Sequence, residues 1–528
     1  MGTDRYDVVV VGLGPTGLVT GLLLAERGLR VLALEREPRR YGMARAVHTD
    51  DECLRILQRT GLAAELHEHM VSDLPVRWLR ADGSVLARFH DPARPHGWPT
   101  ANFLYQPLVE EQLETALAAR PGVTIRRGRA VEAVHQGTDG VTVTHSECTG
   151  AHYGRGDAGL VDGTRESARG AFLVACDGGR SVVRTHLGIG MTGRSFPQRW
   201  LVVDLATAGE GDAFDHLTCF DFVCDPRRPV VSCPQPHGRH RFEFLLDGAE
   251  DTAGFETDET VRRLVAPYVD PDRVRIDRKL VYTFNALVAD RWREGRVLLA
   301  GDAAHMTPQF IGQGMNAGIR DADNLAWKLA EVVAGRLPLS ALDSYEGERR
   351  PHATRMIRLS VLNKDVVSTS ASTLRDTAVG AVVRVPGVRR LVTEAKVKPR
   401  PRYRAGAFLG DRRRRPRGIE GTLGPQPRVR DASGRRGWLD DLARYRWVVL
   451  DVEGAGCRGS AMPLPPGVDA VDPVRLRVEP GSDPRVDAWL RRGGVRYGGQ
   501  VVLRPDGYVH RVVRPVGSVR ARRRGEPR

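Results

Sequence analysis

The chain has 528 residues, enough for two to four domains, and its 41% hydrophobic and 27% charged content is that of an ordinary folded globular protein. No stretch approaches the roughly 18 uninterrupted apolar residues of a membrane helix, and seven cysteines at irregular spacing, without a C-x-x-C pair, argue against a disulfide framework and a zinc site. The net charge of +15 raises nucleic acid as a partner, but much of the arginine excess sits at Arg412–Arg417 and Arg520–Arg528 with no interleaved aromatics. The expectation is therefore a cytoplasmic protein with no metal, no nucleic acid and no membrane as partner.

Val8 to Val11 form an apolar, β-branched run too short for a helix, which predicts a buried strand. Gly12, Gly14 and Gly17 follow as G-x-G-x-x-G, where the strand would turn into a helix over Leu18 to Arg27, stopped by Gly28. The first glycine allows the tight turn and the second lets a pyrophosphate approach the backbone. The third lets helix and strand pack closely. Arg30 to Leu34 reads as a second strand, and Glu35 at its end can accept hydrogen bonds from ribose hydroxyls. Thr16 and Arg36 belong to the same unit and join its cofactor-binding candidates. The context, more than the three glycines, points to a dinucleotide.

Thr49 or Asp50 can cap the next helix, which runs through Leu54, Ile56 and Leu57 to Gly61. With that opening, the run R-A-V-H-x-D-D-E-x-L-R-x-L-Q-x-x-G-L from Arg45 resembles the FAD-dependent aromatic hydroxylases built like para-hydroxybenzoate hydroxylase, and among them the branch acting on 3-(3-hydroxyphenyl)propionate. The resemblance implies that Arg45 lies close to the flavin and its active site, with His48 as a second catalytic candidate.

Leu74 to His90 alternates around an Asp82-Gly83 turn, which predicts a hairpin. Phe103 to Pro107 leads into a helix over Leu108 to Ala119, and by resemblance Gln106 contacts the flavin's linker and phosphates. Strands are predicted at Val123–Arg127 and Gly140–His145, and an exposed loop over Thr149–Arg169. Phe172 to Cys176 reads as an apolar strand ending in Asp177-Gly178, with a helix from about Ser181. This resembles the family's D-G-x-x-S-x-V-R motif, which implies that Asp177 serves the FAD side and the docking of a nicotinamide cofactor. Cys176 reads as a core thiol.

From Gln198 to about Leu280 strand-like segments dominate, interrupted by a helix over Thr257–Ala266, and an antiparallel sheet covering the flavin ring and forming the substrate pocket is expected. Arg241 and Glu243 share one face of their strand, Phe242 and Phe244 the other, with a cross-strand ion pair as the ordinary use of the charged pair. Next, the apolar strand Arg296–Ala300 delivers Gly301-Asp302 at its C-terminal end, where ligands of α/β sheets bind. Asp302 can bond ribityl hydroxyls, and Gly312 and Gly314 let the backbone approach the flavin. A helix from Met315, followed by Asn316, would point its positive end at the pyrimidine side of the ring. By resemblance Pro308 lies over the isoalloxazine. His305 reads either as a general base or as support of the loop.

Leu339 to Arg358 reads as helix bent at Pro351, and the Pro/Arg-rich Pro399–Arg417 as a boundary. Beyond it a short helix near Leu439–Leu442, a strand Trp447–Leu450 and a further strand from Val501 have their own pattern; by resemblance this is a thioredoxin-like appendage without C-x-x-C, Cys457 standing alone. The expected architecture is α/β: a Rossmann-like FAD-binding domain (1–190 with 281–398), an inserted antiparallel-sheet substrate domain (191–280, with help from 74–106) and a thioredoxin-like domain (418–528). The resemblance implies FAD as cofactor, NADH or NADPH and oxygen as co-substrates, and hydroxylation of a small phenolic substrate through a flavin hydroperoxide, with a homodimer as the candidate assembly. A carboxylate-bearing phenylpropionate or hydroxycinnamate would want an arginine, for which Arg199, Arg228 and Arg241 are candidates. A hydroxylase tailoring an aromatic polyketide, and a flavoprotein oxidoreductase without oxygen insertion, stay open as alternatives.

Overall fold

Buried β-branched residues make Arg5–Val11 (β1) a central strand, hydrogen-bonded on both edges. The computed structural model describes residues 5–40, 42–150, 159–246, 252–369, 371–385, 398–400, 402–403, 406, 417–453, 471–481, 483–495 and 497–514. The chain divides into two units, residues 1–333 with 349–400 and residues 334–348 with 401–528.

In the first unit β1 turns into Pro15–Glu26 (α1) and returns as Val31–Glu35 (β2), parallel to β1 with Val8 beside Val31. Gln106–Ala118 (α2) begins two residues before its predicted start because Pro107, lacking an N–H, fits the first turn. Val123–Arg127 (β3) adds parallel to β2. Arg129–Gln136 (β4) and Val141–Glu147 (β5) pair antiparallel, and β5 pairs with Glu166–Ala175 (β6). The sequence reading missed β4 and started β6 late, inside the predicted Thr149–Arg169 loop. Glu166, Ser167 and Arg169 of β6 are exposed edge residues, so no apolar run announces them. Residues 151–158 of that predicted loop lie outside the described residues. Strand β6 then runs parallel to β1 on its other side.

The second sheet is built on two long antiparallel strands, Met191–Thr207 (β7) and Val274–Ala289 (β8), the latter continuous through residue 280 where the sequence placed a boundary. Phe220–Val223 (β9), Val230–Gln235 (β10) and Arg239–Leu245 (β11) complete it, and the predicted hairpin, Val76–Leu79 with Val85–Phe89, extends its edge beside β9. One face packs Leu201, Val203, Phe242 and Phe244 against Val261 and Val265 of the helix Asp258–Val265 (α3). The other gathers Trp200, Phe222, Val231 and Phe284 with Phe310 and Val367. The first sheet resumes at Val297–Leu299 (β12), parallel to β6, and the helix Gly314–Val333 (α4), buried along most of its length, packs beside α1.

The second unit has its own six-stranded sheet, in which Val448–Val452 pairs parallel with Val474–Val478 and antiparallel with Gln500–Leu503. Trp489 and Leu490, from the helix Pro484–Gly493, close one core over Leu450, Leu476 and Val501. Buried Arg504 holds both oxygens of Glu348 at 2.7 and 2.9 Å and shares its remaining side with Asp506. Arg412–Arg415, Cys457 and Arg520–Arg528 lie outside the described residues. Among the described residues no helix is long and apolar enough to cross a membrane.

Candidate active site

The turn between β1 and α1 presses against the end of β6. Gly12 has φ +96°, and a Cβ there would lie 2.4 Å from the Cys176 carbonyl oxygen; one on Gly17 would lie 1.9 Å from the Gly12 oxygen. No side chain caps the extended Gly14, so the first N–H groups of α1 keep their donors for an anion. Glu35 is buried and each of its carboxylate oxygens accepts one backbone bond, from Leu13 N at 2.7 Å and Glu37 N at 3.0 Å. Each oxygen retains a second lone pair for a ribose hydroxyl. Arg36 is half-buried, its Nε 3.7 Å from Glu37. Thr16 is a packing residue: its Oγ1 lies 2.6 and 2.1 Å from where Cβ atoms on Gly301 and Gly318 would stand.

Asp177 follows Cys176 directly beside the Gly12 turn. Its Oδ2 accepts from Val183 N at 3.1 Å, whereas its buried Oδ1 has no hydrogen-bond partner. Burial raises this carboxyl above its ordinary value, with Ser181 and Val183 opposing the shift. An orphaned acceptor at a glycine turn is the mark of a site that a donor-bearing ligand completes. Arg184 holds the carbonyls of Ala303 and Gly179 at 3.1 and 2.8 Å, so it builds the loop. The Cys176 thiol is pushed up by burial, as expected of a core thiol.

Arg45 brings the next segment to the same place, with its Nη2 3.6 Å from the Cβ position of Gly14. Asp302 is exposed, yet desolvation raises its carboxyl while His305 and Arg45 pull it down. Gln106 is buried and its amide is turned onto the chain: Oε1 accepts from Arg45 N at 2.9 Å and Ala46 N at 2.5 Å, and Nε2 donates to Glu110 at 2.6 Å. It positions the Arg45 backbone, leaving one Nε2 hydrogen for any ligand.

His305 is structural. Its Nε2 lies 2.6 Å from Asp321, which also accepts from Arg349 Nε at 2.8 Å and Gly301 N at 3.1 Å, and Trp292 stacks on the imidazole. The same economy governs Asn316, whose Nδ2 donates to the Gly312 oxygen at 2.6 Å and the His48 oxygen at 3.2 Å while Oδ1 accepts from Thr49. Gly312, at φ +60°, sits so close to His48 that a Cβ would lie 2.9 Å from Nδ1. Burial lowers the His48 pKa against the pull of Asp50, and Phe103 meets its ring edge-on. Pro308 is buried with its carbonyl held by Ser360 Oγ at 2.6 Å. Gly314 starts α4 with nothing nearer its Cβ position than the Thr307 oxygen at 3.9 Å, and Met315 beside it is half-buried.

Beneath this loop lies a charge cluster that sequence reasoning missed. Asp50 caps its helix through Cys53 N, as predicted, but also accepts from Arg320 and from Lys398 Nζ at 2.8 Å, while Arg320 Nε donates to Glu52 at 2.6 Å. Gln313 donates to Asp50 at 3.2 Å and links the cluster to the Gly312 turn. The available signal was Arg320 one helical turn after Asn316.

The three substrate arginines part company. Arg199 alternates with Trp200, placing it on the face that packs on α3, and Arg228 lies over Phe255 on that same side. Arg241 is on the opposite face and engaged at all three nitrogens: Nε donates to Asp204 at 2.6 Å, Nη2 to Asp204 at 3.0 Å and to the Ala44 oxygen, and Nη1 to the Arg45 oxygen at 2.7 Å. The cross-strand partner of Arg241 is thus Asp204, with Glu243 4.0 Å away. Arg278 shares Ala44 and lies 3.6 Å from Asp204.

A glycine turn, an acidic strand end bonded to it at Leu13 and a second Gly-Asp strand end packed against its Thr16 define a dinucleotide-binding oxidoreductase site. A family described as "FAD binding domain" matches residues 5–360. The chain belongs to this family and, within it, to the flavin-dependent aromatic hydroxylases, which are monooxygenases. It is 38% identical over 448 residues to a 3-(3-hydroxy-phenyl)propionate/3-hydroxycinnamic acid hydroxylase of Mycolicibacterium gilvum strain PYR-GCK, covering 84% of this chain and 75% of that one. The namesake from Burkholderia cenocepacia strain HI2424 is 38% identical, over 83% of this chain and 78% of its own. Among solved structures, the anhydrotetracycline hydroxylase OxyS of Streptomyces rimosus is 27% identical with a TM-score of 0.73, covering 97% of this chain and 96% of that one. Aklavinone-11 hydroxylase, in a ternary complex with FAD and aklavinone, is 27% identical with a TM-score of 0.75 over the same shares.

Proposed function

We propose that the chain uses FAD and electrons from NADH or NADPH to place one oxygen atom of O2 on a phenolic ring. The observation that carries this reading is the meeting of Gly14, Arg45 and Asp302 from three distant segments: Arg45 stands beside Gly14, its charge acts on Asp302, and Gly301 packs against Thr16 of the same turn. The uncapped start of α1 and the Gly12–Gly17 turn would hold the pyrophosphate, Glu35 a ribose, and Asp302 and Asp177 the hydroxyls of the linker. Gly312, Gly314 and Met315 would present the positive end of α4 to the pyrimidine edge, which favours negative charge there. Bound and reduced, FAD supplies the oxygen activation that side chains lack. Arg45, His48 and Pro308 border the place where a ring would lie. No second G-x-G-x-x-G is read as a strand-to-helix turn in the sequence, and Gly188-Ile189-Gly190-Met191-Thr192-Gly193 leads from a short helix into β7, which supports transient docking of NAD(P)H. The central parallel pair of the second unit, flanked by antiparallel strands and crossed by a helix, supports a thioredoxin-like reading without dithiol chemistry.

On substrate, the sequence relatives are named for carboxylate-bearing phenols and two of the structural relatives for aromatic polyketides. The second class is favoured by one observation: the only substrate-arginine candidate on the flavin-side face, Arg241, has its guanidinium taken by Asp204 and two carbonyls. The test is a panel of phenols scored by stimulated NAD(P)H oxidation and by oxygen-18 from O2 in the product; unlabelled product would defeat the monooxygenase reading. Asp302→Ala is expected to fold yet lose FAD on desalting, its affinity down about tenfold for one lost charge-assisted hydrogen bond. A variant that stays yellow and fully active would remove Asp302 from the site.

A further inference from the structure

One acidic side chain on the flavin-side face of the sheet has no part in the scheme above. Glu243 stands two residues after Arg241 on β11, so both project from the same face. On that face Arg241 reaches the Ala44 and Arg45 carbonyls, and Tyr282 of β8 donates to Gln309, next to Pro308. The other face, with Phe242 and Phe244, is closed by α3.

Glu243 is 7% exposed, and among the described residues no hydrogen-bond donor reaches its carboxylate. Its nearest cation is Arg241, whose Nη1 lies 4.0 Å away and donates to the Arg45 oxygen, while Nε and Nη2 hold Asp204 and the Ala44 oxygen. The charged and titratable groups around it are Arg241 on its own strand, Asp204 on β7, Arg278 and Tyr282 on β8, and on β10 the Cys233 thiol, held neutral by burial, with Val231 directly opposite. Burial raises its carboxyl to about 7, with Arg241 opposing and Asp204 adding to the shift. A buried carboxylate lacking a donor, facing the ring site, requires a donor from the ligand.

We propose that Glu243 is the catalytic base that accepts the hydrogen bond, and then the proton, of the substrate's phenolic hydroxyl, and that this face takes phenols without a carboxylate. The inference rests on the monooxygenase reading. The phenol O–H bond breaks and an O–H bond forms on Glu243, so one negative charge moves from carboxylate to phenolate oxygen. The freed electron pair enriches the ring carbon that takes up oxygen, and the proton leaves with product exchange. A substrate carboxylate on this face would meet the two negative charges of Glu243 and Asp204, against which Arg241 and Arg278 already stand.

The flavin-loaded protein is titrated by calorimetry from pH 5.5 to 8.5 with two probes, 3-propylphenol and 3-(3-hydroxyphenyl)propionate, and assayed for labelled product. As Glu243 ionises through about pH 7, affinity for 3-propylphenol is expected to rise and affinity for the propionate to fall, the former at least about tenfold tighter at pH 8. Glu243→Gln is expected to keep its FAD, lose both pH trends and lose about 100-fold in the rate of product formation, the range of a general base; Glu243→Asp should bring back the pH trends. Unchanged pH trends in Glu243→Gln, no binding of 3-propylphenol, or tighter binding of the propionate at pH 8 would overturn the proposal. Absence of oxygen-18 in the wild-type product would instead overturn the reading on which it rests.

Discussion

Gly12→Ala is expected to give a chain that holds no FAD and is recovered mainly as aggregate. Two separate costs meet at this residue. Its φ of +96° lies where an L side chain is strained, and its Cβ would stand 2.4 to 2.9 Å from three backbone atoms of Cys176 and Asp177. Backbone cannot swing aside as a flexible side chain can, so β1 or β6 must shift. The two costs together should exceed about 4 kcal/mol, a large share of a domain's stability. Gly28→Ala is the control, since its φ of +75° carries the conformational term while nothing lies within 4 Å of the new methyl. It should cost about 1 kcal/mol and keep FAD. Thermal unfolding and the flavin absorbance of the desalted proteins measure both. Equal losses in the two variants would show that conformation alone, and not the contact with β6, makes Gly12 indispensable.

What could be read from sequence followed from how locally each feature is encoded. The β1–α1–β2 unit, the Asp50 cap and the 76–89 hairpin are written in spacings of a few residues, and the structure carries each of them. Strand β4 is half-buried on both faces and mixed in polarity, and the first part of β6 is exposed and paired with β5 from across a long connection, so periodicity says nothing of them. Side-chain partners were harder still. Arg241 and Asp204 are 37 residues apart and face each other only because β7 and β11 are in register, while Asp50 and Arg320 are 270 apart. Motif resemblance named Gln106 and Asn316 near the flavin, but it could not say that their amides are turned onto the backbone of Arg45 and His48. The choice between faces of β11, open in the sequence, follows from α3 covering Phe242 and Phe244.

Arg241→Met is expected to fold with a loss of about 3 kcal/mol and to lower the rate of product formation about 100-fold. The Arg45 segment is held from two sides: Gln106 takes the N–H groups of Arg45 and Ala46, and Arg241 takes the oxygens of Ala44 and Arg45. Removing the guanidinium leaves Asp204 buried with Arg278 at 3.6 Å as its nearest cation, and breaking one side of a buried pair costs about 3–5 kcal/mol when no other cation stands by. Arg278 should therefore keep the loss at the lower end. The rate falls for a different reason: with the Arg45 carbonyl released and Arg278 alone on that of Ala44, Arg45 can drift by about 1 Å from the ring site, a displacement that costs about 100-fold where geometry governs the reaction. Arg241→Lys should recover little, because one ammonium cannot span Asp204 and two carbonyls. Asp204→Asn combined with Arg241→Met removes the stranded charge, so stability should return by more than about 1 kcal/mol while activity stays low. Recovery of activity in the double variant would mean that charge balance, and not the grip on Arg45, is what Arg241 contributes.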